Sequence, residues 1–223
     1  MIYSPRVCSN YVPVTETDRL LHFFGVTRDP SQPSISVTEV WPTGFAPFIR
    51  LAADGSGNKV IDSGHFGLLP TFAKEIAFGR KTYNARSETV HQKPSFREAW
   101  AKGRRCIIPV EVLYEQNYES GRAERWAVHQ DGVPMGVAGI YHPWTDAEGR
   151  TRGTFAMLTV NADGHPVYSR FHAPGEEKRM VVILDPHDFD RWLTCTPQEA
   201  KAYFRQWPGE LKTYPRLRSP GRL

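Results

Sequence analysis

The segment CIIPVEVLY, residues 106–114, constrains the fold more than any other. It is apolar and largely β-branched, which predicts a buried strand. A buried strand must place its backbone N–H and C=O groups on neighbours. The chain offers several. Residues 125–130, 135–141 and 155–161 read as strands, and MVVIL at 180–184 is another, following a loop rich in Pro, Gly and charge. FAPFIRLA (45–52), the turn ADGSGN (53–58) and the returning segment from Lys59 predict a hairpin. Helices are fewer. TDRLLHFF (17–24) has one apolar side and a stop at Gly25. SFREAWAK (95–102) carries Ser95 and Glu98 at capping-box spacing and ends at Gly103. A helical stretch begins at Asp188, and residues 197–207 predict a further helix with Pro197 at its first position. The expected class is α/β (α+β): one mixed domain around a mostly antiparallel, barrel-like sheet with peripheral helices.

At 223 residues and 40% hydrophobic content the chain can bury one substantial core. No apolar run approaches the roughly 18 residues of a spanning helix. The first residues, MIYSPRV, lack the apolar centre of a signal peptide, so a cytoplasmic protein with no membrane partner is expected. The three cysteines, Cys8, Cys106 and Cys195, form no C-x-x-C pair. Neither a zinc ribbon nor a disulfide framework follows, and the histidines show no ligand spacing, so no metal and no cofactor are expected. The formal net charge of +4 suits a polyanionic partner without demonstrating one. Part of it lies after Glu210, where Lys212, Arg216, Arg218 and Arg222 read as a solvated basic tail.

Five segments in order resemble one family. They are Cys8-Ser9-Asn10-Tyr11, Phe66 to Phe72 (FGLLPTF), Asn84 to Thr89 (NARSET), Arg104 to Glu115 (RRCIIPVEVLYE), and His172 followed by Arg179-Met180 and an apolar run. The chain resembles the SRAP (SOS-response-associated peptidase-like) family, whose motifs read C-G-R-F/Y, W-G-L-I-P-x-W, N-A-R-x-E-T, R-R-C-L-I-P-A-x-G-F-Y-E and H-x-R-M-P-V-I-L. The resemblance implies a single SRAP-like domain over residues 8–207, an extension at 1–7 that is absent or removed, and a tail at 208–223. It implies capture of abasic sites in single-stranded DNA by a protein expected to be a monomer and nucleoid-associated when bound.

The implied chemistry needs a 1,2-aminothiol. The α-amine of Cys8 forms a Schiff base with the open aldehyde of the sugar, and its thiolate closes a thiazolidine. Seven residues precede Cys8, which makes its nitrogen an amide. Self-removal of the extension is one remedy. A misassigned start is the other, and the preferred one: Val7 fits an internal reading of a GTG start codon, and initiation there would give Met-Cys, from which an aminopeptidase exposes the cysteine. By resemblance, Glu115 assists proton transfer at the amine and aldehyde, and His172 protonates the sugar oxygen, work suited to a group titrating near neutrality. Asn84 orients the sugar, and Arg86 is the phosphate ligand. Read from residue type alone, Glu115 is a surface carboxylate, His172 a solvated loop histidine, Asn84 a turn former, Cys8 a small buried hydrophobe, and Arg86 the ion-pair partner of Glu88 or another acid.

The departures from the family fall on DNA contacts. Asn10 replaces an arginine, Glu39-Val40-Trp41-Pro42 stands for N-x-A-P, Phe72-Ala73 for two tryptophans in some members, and Gln116 for a frequent Trp. An insertion within residues 173–178 separates His172 from Arg179. Phe72, Trp41 or Phe45 can still stack on bases, each at ~1–3 kcal/mol. Two other functions compete: a peptidase acting in trans, for which no Ser-His-Asp or papain-like context is found, and a non-catalytic single-strand binder.

Overall fold

The computed structural model describes residues 9–27 and 37–216. Cys8 lies outside the described residues. The elements are β1 (Asn10–Pro13), α1 (Thr17–Phe24), β2 (Phe45–Leu51), β3 (Lys59–Phe66), β4 (Asn84–Arg86), α2 (Arg97–Ala101), β5 (Arg105–Asn117), β6 (Glu124–His129), β7 (Met135–Thr145), β8 (Thr151–Asn161), β9 (Arg179–Val181), β10 (Ile183–Leu184), α3 (Phe189–Thr194) and β11 (Lys212–Pro215).

Five strands close into a barrel in the order β7-β8-β3-β2-β5, with β5 returning to β7. The β2–β3 hairpin is antiparallel from Phe45↔His65 to Leu51↔Lys59, as its turn chemistry predicts. One barrel pairing, β3 with β8, is parallel. It brings Gly64 opposite Gly153, where a Cβ on Gly64 would collide with the Gly153 carbonyl. Closure at this seam therefore requires a residue without a side chain. Phe48, Phe66 and Phe155 fill the interior, with ring centroids 5.3 Å (Phe48–Phe155) and 5.6 Å (Phe66–Phe155) apart. Outside, the buried Trp192 of α3 donates its indole N–H to the Cys106 carbonyl at 2.8 Å, docking α3 on β5.

The peripheral elements differ in detail from expectation. Helix α1 buries Leu20 and Phe24, and Gly25 ends it in the left-handed region at φ 65°. Helix α2 starts at Arg97, after a turn, and its N-cap Phe96 makes no side-chain cap, so the Ser95–Glu98 capping box does not form. Residues 197–207 contain only the 3-10 turn Glu199–Tyr203 in place of a full helix. Gln206 instead donates to the carbonyls of Asn161 and Asp163, which fixes the chain in a non-helical path. Residues 212–215, in the stretch read as solvated tail, form β11 and extend the sheet beside β6 from Lys212↔His129 to Pro215↔Trp126. The Lys212 side chain there is exposed while the backbone is paired, a combination composition does not reveal. No helix among the described residues is long and apolar enough to cross a membrane.

Strand β5 serves two structures. Its first half, Arg105 to Val110, pairs with β7 in the barrel wall. Its second half leaves the barrel and runs between β1 (Asn10↔Tyr114) and β6 (Leu113↔Val128 to Asn117↔Glu124). Strand β8 behaves similarly, with its last residues held between β4 and β9. The candidate site lies on these two extensions.

Candidate active site

Glu115 sits on the second half of β5, opposite Trp126, and is only 2% exposed. A covering segment buries it. Phe171 bridges to Asn117, and the His172 backbone N–H donates to the Gln116 carbonyl at 2.9 Å. This lays His172 across β5, where it is 4% exposed. Its Nε2 lies 3.7 Å from Glu115 Oε2, beyond hydrogen-bond reach. Both residues are thus buried, in place of the solvated positions that residue type alone suggests.

The segment is held under tension and pinned. His172 adopts φ 67°, a left-handed conformation that costs a side-chain-bearing residue ~1–3 kcal/mol and clusters at functional sites. The Lys178 ammonium donates to the carbonyls of Phe171, His172 and Ala173 at 2.7, 3.1 and 3.4 Å. One cation thereby satisfies three loop carbonyls and fixes the path over Glu115.

Burial lowers the His172 pKa to about 4, and the nearby charges of Lys178 and Arg179 push in the same direction. The Phe171 carbonyl and Glu177 act against them without restoring the usual value. The imidazole is therefore neutral at neutral pH, which corrects the expectation of a group titrating near 7. Among the described residues, neither ring nitrogen makes a hydrogen bond of good geometry, the Phe171 carbonyl offering only a weak one. A buried polar atom without a partner marks a place where a ligand or water completes the structure.

This depressed pKa predicts a stability effect. The unfolded chain binds the proton at about 6.5 and the native site only near 4, so stability falls as pH drops through that window. At pH 4.5 the loss attributable to this residue is about 2–3 kcal/mol. Urea unfolding at pH 7.5 and 4.5 should show that His172→Gln loses less stability over the interval than the native protein, by that amount. Equal losses would mean that the imidazole is not held neutral.

Asn84 and Arg86 lie on β4, paired with Met157 and Thr159 of β8. Asn84 is half-buried, and the Arg86 side chain is 58% exposed. Arg86 does pair with an acid, but the acid is Glu177, at 2.6 Å, from the inserted segment. Glu88 instead meets Arg179, at 2.8 Å. Arg179 is buried and also donates to the Thr159 carbonyl at 2.8 Å and to Glu177 at 2.6 Å. Burial would raise the Glu177 pKa, but Arg179 and Arg86 together bring it below the usual carboxylate value.

The departures at Asn10 and Glu39 turn out to be partners. Asn10 Nδ2 donates to Glu39, and Glu39 pairs with Arg125 at 2.6 Å. The Arg125 guanidinium stacks 3.6 Å from the Tyr114 ring centroid and lies 5.7 Å from that of Trp41, which is 53% exposed. Trp41 thus has a free face beside a cation. Phe72, 55% exposed, belongs to a separate patch, edge-on to Phe78 at 5.7 Å. The structure brings Glu115 and His172 together, and places Asn84 and Arg86 on one strand. It adds Lys178, Arg179, Glu177 and Arg125, for which residue type gave no role. The usable signals were the motif position of Arg179 and the inserted positions of Glu177 and Lys178; Arg125 had none.

Comparison with known proteins bears on the fold and the family. A protein of Bordetella bronchiseptica of known crystal structure has the same fold, with TM-score 0.83 and 32% identity over 94% of this chain and 100% of that one. One from Bacteroides thetaiotaomicron shares the fold at TM-score 0.78 and 22% identity, over 95% of this chain and 93% of that one. The abasic site processing protein YoqW of Bacillus subtilis is 27% identical over 201 residues, 84% of this chain and 80% of its own. The abasic site processing protein HMCES of Mus musculus is 33% identical over 169 residues, covering 62% of this chain and 46% of its own. The family described as SOS response associated peptidase (SRAP) matches residues 7–217. With that match over nearly the whole length, this chain belongs to the SRAP family.

Proposed function

We propose that this protein captures abasic sites in single-stranded DNA, with Cys8 as the group that bonds to the sugar. The observation that carries the reading is the buried Glu115–His172 pair at 3.7 Å, with Glu115 on β5 one residue beyond the stretch that pairs with β1. Strand β1 starts at Asn10, two residues after Cys8 in sequence, and Asn10 lies opposite Tyr114, next to Glu115. The names of the Bacillus subtilis and mouse relatives support the same reading.

The steps balance without a cofactor. The free amine of Cys8 adds to the aldehyde carbon, and loss of water gives an imine. The thiolate then adds to the imine carbon, and the nitrogen takes a proton, closing a thiazolidine. Glu115 moves protons between amine and departing water, Asn84 orients the sugar, and Arg86 receives a flanking phosphate. The reactive unit begins at Cys8, so residues 1–7 must be absent or removed before the amine can act. Self-cleavage of that extension would account for the peptidase in the family description. Trp41 and Phe72 offer exposed rings for unpaired bases.

The test mixes protein beginning at Cys8 with abasic and intact oligonucleotides on a denaturing gel. A shifted band with the abasic strand alone is expected. Reversible binding without a covalent band would indicate a non-catalytic binder. Cleavage of an added protein substrate would indicate a peptidase in trans.

A further inference from the structure

The segment between His172 and Arg179 places one carboxylate across two guanidinium groups. Glu177 Oε2 accepts from Arg86 Nη1 and Oε1 from Arg179 Nη1, both at 2.6 Å. The two arginines do not depend on it equally. Arg179 keeps Glu88 and the Thr159 carbonyl without Glu177. Among the described residues, the one ion pair of Arg86 is with Glu177. Two oxygens on one centre, each received by a guanidinium group, is an arrangement that the two free oxygens of a phosphodiester can also offer.

We infer that Glu177 competes with the phosphate of bound single-stranded DNA for Arg86, occupying the guanidinium until the strand displaces it. The inference rests on the reading of Arg86 as a phosphate ligand. The local architecture permits the exchange. Glu177 is 37% exposed on its side chain, and Gly175 at φ 80° lies at the neighbouring turn. Lys178 anchors the base of the segment through three carbonyls, so the carboxylate can swing outward while His172 stays over Glu115. Unoccupied protein thus hides its most exposed phosphate ligand from casual polyanions. A strand that also engages other contacts gains enough to displace the carboxylate. Glu177 is a selectivity residue in this sense and touches no reacting atom.

The test is fluorescence anisotropy with a labelled intact single strand, which binds without crosslinking, over a range of salt. Glu177→Gln keeps the side-chain shape and leaves Arg179 its other partners. It should bind about 5- to 10-fold tighter at moderate salt, the scale of one exposed ion pair removed together with its repulsion. Its log–log salt slope should stay close to that of the native protein, because the strand reaches Arg86 in both, whereas Arg86→Ala should flatten the slope by about 0.7, one phosphate contact. Glu176→Gln removes the same charge one residue away and should change affinity at most about twofold. In an Arg86→Ala background the gain from Glu177→Gln should vanish. A gain that persists there, or equals that of Glu176→Gln, reduces the effect to net charge and overturns the inference. Binding that weakens with Arg86→Ala yet does not tighten with Glu177→Gln overturns the competition alone. If Arg86→Ala leaves native binding and its salt slope unchanged, the assignment of Arg86 fails and the inference with it.

Discussion

Protein beginning at Cys8 should form a heat-stable adduct with single-stranded abasic DNA, and Cys8→Ala should abolish it. The reason is stoichiometric. The thiazolidine needs an amine and a thiol on adjacent carbons, and alanine supplies only the amine. A weak adduct trapped by borohydride is compatible with the loss, because any α-amine can form an imine, but that imine hydrolyses on heating. The same chemistry predicts that protein retaining residues 1–7 forms no thiazolidine, since an amide nitrogen does not attack an aldehyde. Intact mass before and after reaction reads both outcomes. An undiminished stable adduct from Cys8→Ala, or normal yield from protein whose mass includes Met1, would rule out the aminothiol mechanism.

The second large effect separates the two buried residues. Glu115→Gln should slow adduct formation by about 10²- to 10⁴-fold, the usual contribution of one positioned acid–base group. His172→Ala should act mainly on ring opening and on reversal of the adduct. The variants should therefore differ most on a substrate already held as the open aldehyde, where Glu115 is still needed and His172 less so. The pKa near 4 adds a condition. Steps that use a protonated His172 should accelerate as pH falls from 7 toward 4, and His172→Ala should lack that gain. Quenched time courses on gels, across pH, measure all of this. Equal, small losses for both variants on both substrates would place neither residue at the reacting centre.

Local elements were legible because their signals are local. The β2–β3 hairpin follows from its turn residues, α1 from its apolar side and Gly25, and β5 from its β-branched run. The capping box at Ser95 failed because the preceding turn sets where α2 begins, and a spacing rule cannot see that turn. Barrel closure was legible only as a class. The parallel β3–β8 seam depends on Gly64 meeting Gly153, residues far apart in the chain. The site shows the same division. Motifs singled out Glu115 and His172, yet their burial comes from the Phe171–Asn117 bridge, which no short pattern encodes. Glu177 as the partner of Arg86 was equally hidden, since Glu88, closer in sequence, was the obvious candidate and is taken by Arg179.

The shared use of β5 gives the two halves of the site different lifetimes. Glu115 is on a strand whose other half is barrel wall, so losing its position means breaking the most cooperative part of the molecule. His172 rides on a short covering segment of irregular chain, held by the buried Phe171, the Lys178 ammonium, a backbone bridge and the Glu177 ion pairs, and such a segment opens at lower cost than a barrel strand. The fold thus offers a durable seat with a removable cover. On the proposed function, a sugar would be admitted by brief lifting of the cover and shielded when the cover returns, while the seat stays in place.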